Sequence, residues 1–286
     1  MEIIVGKTAG FCGGVINSIK KTENLLSERD ELYCLGELVH NKQVVDKLKE
    51  KGLIVVDRLS EVPNGADVVI RAHGIPKEIY ELVGFRDIKL IDLTCPKVLK
   101  IHEEASRLVE EDYFIILIAQ KDHPEAIGTI SFCGDDSVIL EDESQIDEVV
   151  SKIFVSNKKK VAVISQTTYS VSKFERCVEL LKSKLRDFEM LINNTICGAT
   201  HQRQEETREL ASKVDAMIII GGKNSSNTKK LYEVASKECN NTYLIETLSD
   251  LEISFDNVNV IGVMAGASTP KESIDEVVLY LSGVDK

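Results

Sequence analysis

The longest apolar run in this chain, FIILIA at 114–119, is far short of the ~20 residues that cross a bilayer, so a membrane span is not expected. The opening MEIIVGKTAG has neither the charged nor the apolar region of a secretory signal. With no such signal, an odd count of seven cysteines argues against a disulfide scaffold. A cytoplasmic chain with reduced thiols is the expectation. Positive charge is also short, with 35 Lys and Arg against 47 Asp and Glu and a net charge of -12. That balance argues against a nucleic-acid surface, which would show a basic patch. A small anion stays compatible with it, held locally by His, Lys, hydroxyls or helix N-termini. What is present, 286 residues at 43% hydrophobic, suits a soluble globular protein of about two domains by length.

Three of the seven cysteines occupy similar places. In IKLIDLTCPKVLKIHEE a buried strand hands over to a helix at Cys95, with Pro96 suited to the first helical turn. EIIVGKTAGFCGGVINSIKK does the same around Cys12, and EMLINNTICGATHQRQEE around Cys197. Cys34, Cys133, Cys177 and Cys239 lie within or near regular elements and read as ordinary core or surface thiols. The corners step by 95 − 12 = 83 and 197 − 95 = 102. VVDRLSEV (55–62), ILEDESQI (139–146) and LIETLSDL (244–251) resemble one another, and their Ser60, Ser144 and Ser249 step by 84 and 105. Two separate signals with one spacing indicate an internal repeat. The reading is three related α/β units of alternating strands and helices, placed at 1–90, 91–190 and 191–286.

Ligands of parallel α/β sheets gather at the carboxyl ends of the strands. Those ends bring His40, then His123 with Glu125, then Ser225, Ser226 and Asn227; a second set brings His73, Thr167 and Ser268. Three units around an axis would point these loops, with the cysteines, into one central cavity. Three thiols from remote units suggest a metal with an incomplete protein shell: a Cys₃ zinc site, or a four-iron cluster whose fourth iron is open to substrate oxygen. KNSSNTKK and AGASTPKES offer hydroxyls and helix N-termini to a multiply charged anion, although Ser, Thr and Asn also serve as plain caps. His102 and His201 read as solvated helix faces. Glu125, in HPEAIGT, has no acidic counterpart at Asn41–Lys42 or Ser226–Asn227, and that asymmetry suits a proton donor.

Taken together, GFCGGV, LVHNKQVV, AHG, DLTCPKV, HPEAIGT, SQTT, GGKNSSNT and AGASTP resemble the iron–sulfur enzymes of the 4-hydroxy-3-methylbut-2-enyl diphosphate reductase (LytB/IspH) family, in order and over nearly the whole chain. A glycine at position 13 is a mild departure from the family's first motif. The resemblance implies a trefoil of three α/β units around a [4Fe–4S] cluster on Cys12, Cys95 and Cys197, whose fourth iron takes the substrate's hydroxyl oxygen. It implies diphosphate binding by His40, His73, His123, Ser225, Ser226, Asn227 and Ser268, and a proton relay through Glu125 with Thr167. It further implies electrons from ferredoxin or flavodoxin, and isopentenyl and dimethylallyl diphosphate as products of the last step of the non-mevalonate pathway. Two other readings of the residues are a zinc-dependent hydrolase of a small phosphorylated substrate and a non-enzymatic iron–sulfur sensor.

Overall fold

Short aliphatic runs alternate with amphipathic stretches along the whole chain, and they fold as strands and helices in that order. The computed structural model describes residues 1–252 and 258–283. The strands are β1 (Glu2–Val5), β2 (Leu32–Leu35), β3 (Leu53–Val56), β4 (Asp67–Ile70), β5 (Lys89–Asp92), β6 (Tyr113–Ile118), β7 (Ser137–Leu140), β8 (Lys160–Ser165), β9 (Glu189–Ile192), β10 (Ala216–Ile220), β11 (Thr242–Ile245) and β12 (Val260–Ala265). The helices are α1 (Gly13–Leu26), α2 (Lys42–Glu50), α3 (Lys77–Val83), α4 (Pro96–Glu110), α5 (Pro124–Ile130), α6 (Ile146–Val155), α7 (Val171–Lys184), α8 (Gly198–Ala211), α9 (Ser226–Glu238) and α10 (Lys271–Gly283). Among the described residues no helix is long and apolar enough to cross a membrane.

The strands form three four-stranded parallel sheets of one design, ordered β3-β2-β4-β5, β7-β6-β8-β9 and β11-β10-β12-β1. Parallel sheets need cover on both faces, which is why their inner strands are mainly apolar. In β6, Phe114, Ile116 and Ile118 enter one core cluster while Ile115 and Leu117 enter another. In β10, Ile218 and Ile220 face one cluster and Met217 and Ile219 the other. Each such side chain, fully withdrawn from water, contributes roughly 1.5–3 kcal/mol. The repeated serines Ser60, Ser144 and Ser249 each sit in the middle of a short 3₁₀ turn, at 59–61, 143–145 and 248–250.

Strands β5 and β9 run across positions 90 and 190, where boundaries between units are expected. β1 joins β12, in register from Glu2↔Val260 to Val5↔Val263, so the first strand completes the sheet of the last. β12 is buried along most of its length and needs a neighbour on each side; β10 supplies one and β1 the other. By packing, the chain divides into two compact units: residues 1–16, 39–48 and 198–286, and residues 17–38 and 49–197. The first holds the sheet closed by β1, and the second holds the other two sheets.

Candidate active site

The corner cysteines fall where the sequence places them. α1, α4 and α8 begin one residue after Cys12, Cys95 and Cys197. The three backbone N–H groups make equivalent bonds of 3.0 Å: Cys12 to Ala267 O, Cys95 to Ala72 O and Cys197 to Thr167 O. Each acceptor lies two residues beyond the strand next to the cysteine's own, β12, β4 or β8. One turn recurs in all three loops, donated by Thr269 to Gly266 O (3.0 Å), Gly74 to Arg71 O (3.1 Å) and Tyr169 to Gln166 O (3.1 Å). This register regroups the site. Cys95 shares a sheet with the loops of His40 and His73, Cys197 with those of His123 and Thr167, and Cys12 with those of Ser225 and Ser268. It also places His73 and Ser268 level with Thr168, the residue after Thr167.

In the unit of residues 17–38 and 49–197, Glu125 is the distinctive group. Pro124 starts α5, and His123 caps it, its Nδ1 accepting the Glu125 N–H at 3.1 Å. That bond leaves Nδ1 without a proton. The Glu125 side chain is only 1% exposed. Its Oε1 accepts the Thr167 N–H at 2.5 Å and its Oε2 accepts the Thr167 hydroxyl at 2.7 Å. Burial pushes this carboxyl up, the two bonds from Thr167 restrain it, and it settles at about 7 from an ordinary 4.5. The group therefore holds or releases a proton near neutrality. Thr167 also accepts the Cys197 N–H, so one residue ties the carboxyl to a thiol corner. The His73 and His123 rings meet edge to face, with centroids 5.4 Å apart.

His102 departs from the expectation of a solvated face. It is 4% exposed and stacked on Phe132, with ring centroids 4.3 Å apart. Its Cε1 lies so near Gly74, at φ +77°, that a Cβ there would stand 2.9 Å away. Burial, opposed in part by the charge of Asp92, lowers it to about 4, so it is neutral. His201 is exposed beside Glu205, as expected.

In the unit of residues 1–16, 39–48 and 198–286, the loop after β10 leads into α9. Ser225 is a working cap, its Oγ accepting the Thr228 N–H at 3.3 Å. Asn41 similarly caps α2, accepting the Val44 N–H at 3.1 Å. Capping does not account for Ser226 and Asn227. They are 4% and 3% exposed, and neither the Ser226 hydroxyl nor either amide atom of Asn227 has a hydrogen-bond partner among the described residues. A buried polar group left unmatched costs about 1–3 kcal/mol, so such a set is suited to a polar ligand. Ser268 donates to His40 O at 3.0 Å, and Gly222 comes so close that a Cβ would stand 2.6 Å from that oxygen. Only glycine fits there.

The thiols divide in the same way. Cys12, Cys95 and Cys197 are half-buried, while Cys34, Cys133, Cys177 and Cys239 are buried. Burial pushes Cys34 and Cys133 up to about 12 and Cys177 to about 11, which makes them poor thiolates.

Fold and site together define an α/β enzyme of three parallel sheets whose thiol, imidazole and carboxyl groups lie at the carboxyl ends of strands. The chain belongs to the LytB family, whose model, described as LytB protein, matches residues 3–282. It is 39% identical over 286 residues to the 4-hydroxy-3-methylbut-2-enyl diphosphate reductase of Clostridioides difficile, covering 99% of this chain and 100% of that one. Among solved structures it is similar to the E-1-hydroxy-2-methyl-but-2-enyl-4-diphosphate reductase of Plasmodium falciparum, with a TM-score of 0.92 and 32% identity, covering 99% of this chain and 88% of that one. A second solved (E)-4-hydroxy-3-methyl-but-2-enyl diphosphate reductase, described as the terminal enzyme of the non-mevalonate pathway, is 38% identical with a TM-score of 0.70, covering 99% and 100%.

Proposed function

We propose that this chain reduces 4-hydroxy-3-methylbut-2-enyl diphosphate to isopentenyl and dimethylallyl diphosphate, the last step of the non-mevalonate pathway. The observation that carries the reading is the threefold thiol corner: three half-buried cysteines, each one residue before a helix and each fixed by an equivalent backbone bond. Cys12, Cys95 and Cys197 would hold a [4Fe–4S] cluster. Their exposure and their helix N-termini fit a negatively charged iron–thiolate group, and the buried thiols do not. Bound there, the cluster would supply two electrons singly and a Lewis-acid position on the iron without a thiolate.

The chain's own residues supply the rest. The overall change is R–OH + 2 e⁻ + 2 H⁺ → R–H + H₂O. The C–O bond breaks, the hydroxyl leaves as water with one proton, and the second proton goes to carbon. Hydroxide is a poor leaving group, so an acid is needed as the bond breaks. Glu125, at about 7, is protonated in about half of the molecules at neutral pH, and the Thr167 hydroxyl on its Oε2 offers a route for the proton. His123, whose Nδ1 accepts a hydrogen bond, carries its ring proton on Nε2 and would donate it to an anion. His40, His73, His123, Ser225, Ser226, Asn227 and Ser268 would hold the diphosphate. The unmatched, buried Ser226 and Asn227 support that role most directly. Ferredoxin or flavodoxin would deliver the electrons, in the cytoplasm.

The test is anaerobic purification followed by Mössbauer spectroscopy and turnover of the allylic diphosphate with a chemical reductant. A four-iron cluster with one distinct iron, together with reductive loss of the hydroxyl, is the expected result. Colourless protein holding zinc would refute it.

A further inference from the structure

The helix that follows each corner cysteine is bonded to the segment that leads into a different one. On α1, Ser18, six residues after Cys12, donates to the carbonyl of Leu93, two residues before Cys95, at 3.0 Å. On α8, Arg203, six residues after Cys197, donates to the carbonyl of Gly10, two residues before Cys12, at 2.7 Å. On α4, Glu104, nine residues after Cys95, accepts from the Asn193 amide, four residues before Cys197, at 3.0 Å. On α8, Glu206, nine residues after Cys197, takes the Lys7 N–H at 2.6 Å, the Thr8 N–H at 2.8 Å and the Thr8 hydroxyl, four residues before Cys12. The offsets of six and nine recur, and so do their targets two and four residues ahead of the next cysteine.

We infer that Ser18, Glu104, Arg203 and Glu206 are positioning residues that hand each thiol's placement to the helix behind another, with Glu206 setting Cys12. The inference rests on the reading that these cysteines are ligands. Glu206 is the strongest member because it takes three donors from Lys7 and Thr8, a stretch between the backbone bonds that tie Gly6, Gly10 and Cys12 to β12 and the residues after it. β1 is a largely exposed edge strand, and Gly10 stands at φ +94°. A carboxylate accepting three donors within two consecutive residues holds that turn in one conformation. Burial alone would push Glu206 up, but the bonds from Thr8 and Lys7 outweigh it and the group stays ionised. Arg203, 4% exposed, fixes the same segment three residues on.

The experiment uses anaerobically purified holoenzyme and four variants: Glu206→Ala, Asn193→Ala, Cys12→Ser and, as control, Glu205→Ala, whose side chain on the same helix is exposed beside His201. The readouts are iron stoichiometry, the rate of iron loss to a ferrous chelator, the EPR spectrum of the reduced protein and the melting temperature of the metal-free form. Glu206→Ala and Asn193→Ala are expected to lose iron roughly ten-fold faster than the parent, as loss of a charge-assisted bond implies. Their EPR spectra should be shifted, the metal-free melting temperature little changed, and Glu205→Ala should match the parent. Parental iron loss and EPR in Glu206→Ala, with iron lost from Cys12→Ser, would overturn the positioning role alone. Full iron in Cys12→Ser would overturn the ligand reading beneath it. Should Glu206→Ala not fold, Thr8→Val removes a single donor and is expected to give a smaller change in the same direction; no change there overturns the proposal.

Discussion

Glu125→Gln isolates the proton, because the amide keeps the size and an acceptor for Thr167 and removes the titration. In the parent the carboxyl rises from 4.5 to about 7 on folding. At 1.36 kcal/mol per pH unit, the difference corresponds to roughly 3.4 kcal/mol. The folded state binds this proton more tightly than the unfolded state does. The favourable contribution is therefore complete below about pH 4.5 and is lost as pH rises through about 7. Glutamine has no such dependence. The unfolding free energy of the metal-free variant, minus that of the parent, should increase by roughly 3 kcal/mol between pH 4 and pH 8. Urea titrations across that range measure it, and taking the difference cancels the surface carboxylates. In the loaded enzyme the same change should slow turnover at least ~10²-fold with cluster and substrate affinity retained. A pH-independent stability difference would refute the raised carboxyl. Near-parental turnover would remove Glu125 from proton delivery.

Three further outcomes follow from the site. Cys12→Ser, Cys95→Ser or Cys197→Ser should remove most bound iron while Cys177→Ser should not, measured by iron analysis of anaerobic protein; equal loss from Cys177→Ser would break the assignment. Asn227→Ala should weaken calorimetric binding of the diphosphate substrate roughly ten-fold or more, yet leave unchanged the binding of an analogue without the diphosphate; equal losses would indicate misfolding. Gly222→Ala places a Cβ 2.6 Å from His40 O and must push that segment aside. It should lower both melting temperature and diphosphate affinity, and a variant with parental values for both would show that the close approach is dispensable.

Much of this site could be read from the residues because strand-to-helix corners are local. Each corner cysteine is flanked by its own strand and its own helix, and Pro96 marks a helix start without reference to anything distant. Strand partners are a different kind of information. EIIV at the start is apolar enough to be a strand, but nothing in four residues says that its neighbour is β12. Spacing assigned it to the first unit, and pairing moved it to the last sheet. Register between the loops is information of the same kind. Thr167 and Thr168 are adjacent at one strand end, and the cysteine N–H bond shows which of them is level with His73 and Ser268. His102 had a readable signal. Val98, Ile101, Ala105 and Leu108 are buried on α4, and position 102 lies on that same stripe, so helical periodicity places the ring inside. Its polarity concealed this, and stacking on Phe132 in place of solvent is the compensation. Asn227 stood out by its place at a strand end, but that its amide is buried and unmatched has no signature in a residue that otherwise resembles an ordinary helix-start Asn.

The pairing of β1 with β12 also bears on the order in which the protein is made. Val260 leaves the ribosome 260 − 2 = 258 residues after its partner Glu2. The Val68↔Leu90 pair of β4 and β5 closes over 22. Loop-closure entropy then disfavours the first contact over the second by roughly 2 kcal/mol. The sheets β3-β2-β4-β5 and β7-β6-β8-β9 can form as they are synthesised, but the segment carrying Cys12 waits for β12. An iron group offered to a nascent chain would find two thiols in finished surroundings and the third on an undocked strand. Pulse-labelled hydrogen exchange during refolding should protect the β1 amides last. The corner at Cys12 is thereby tied to synthesis of β12, and a product truncated before Val260 would leave it unfinished.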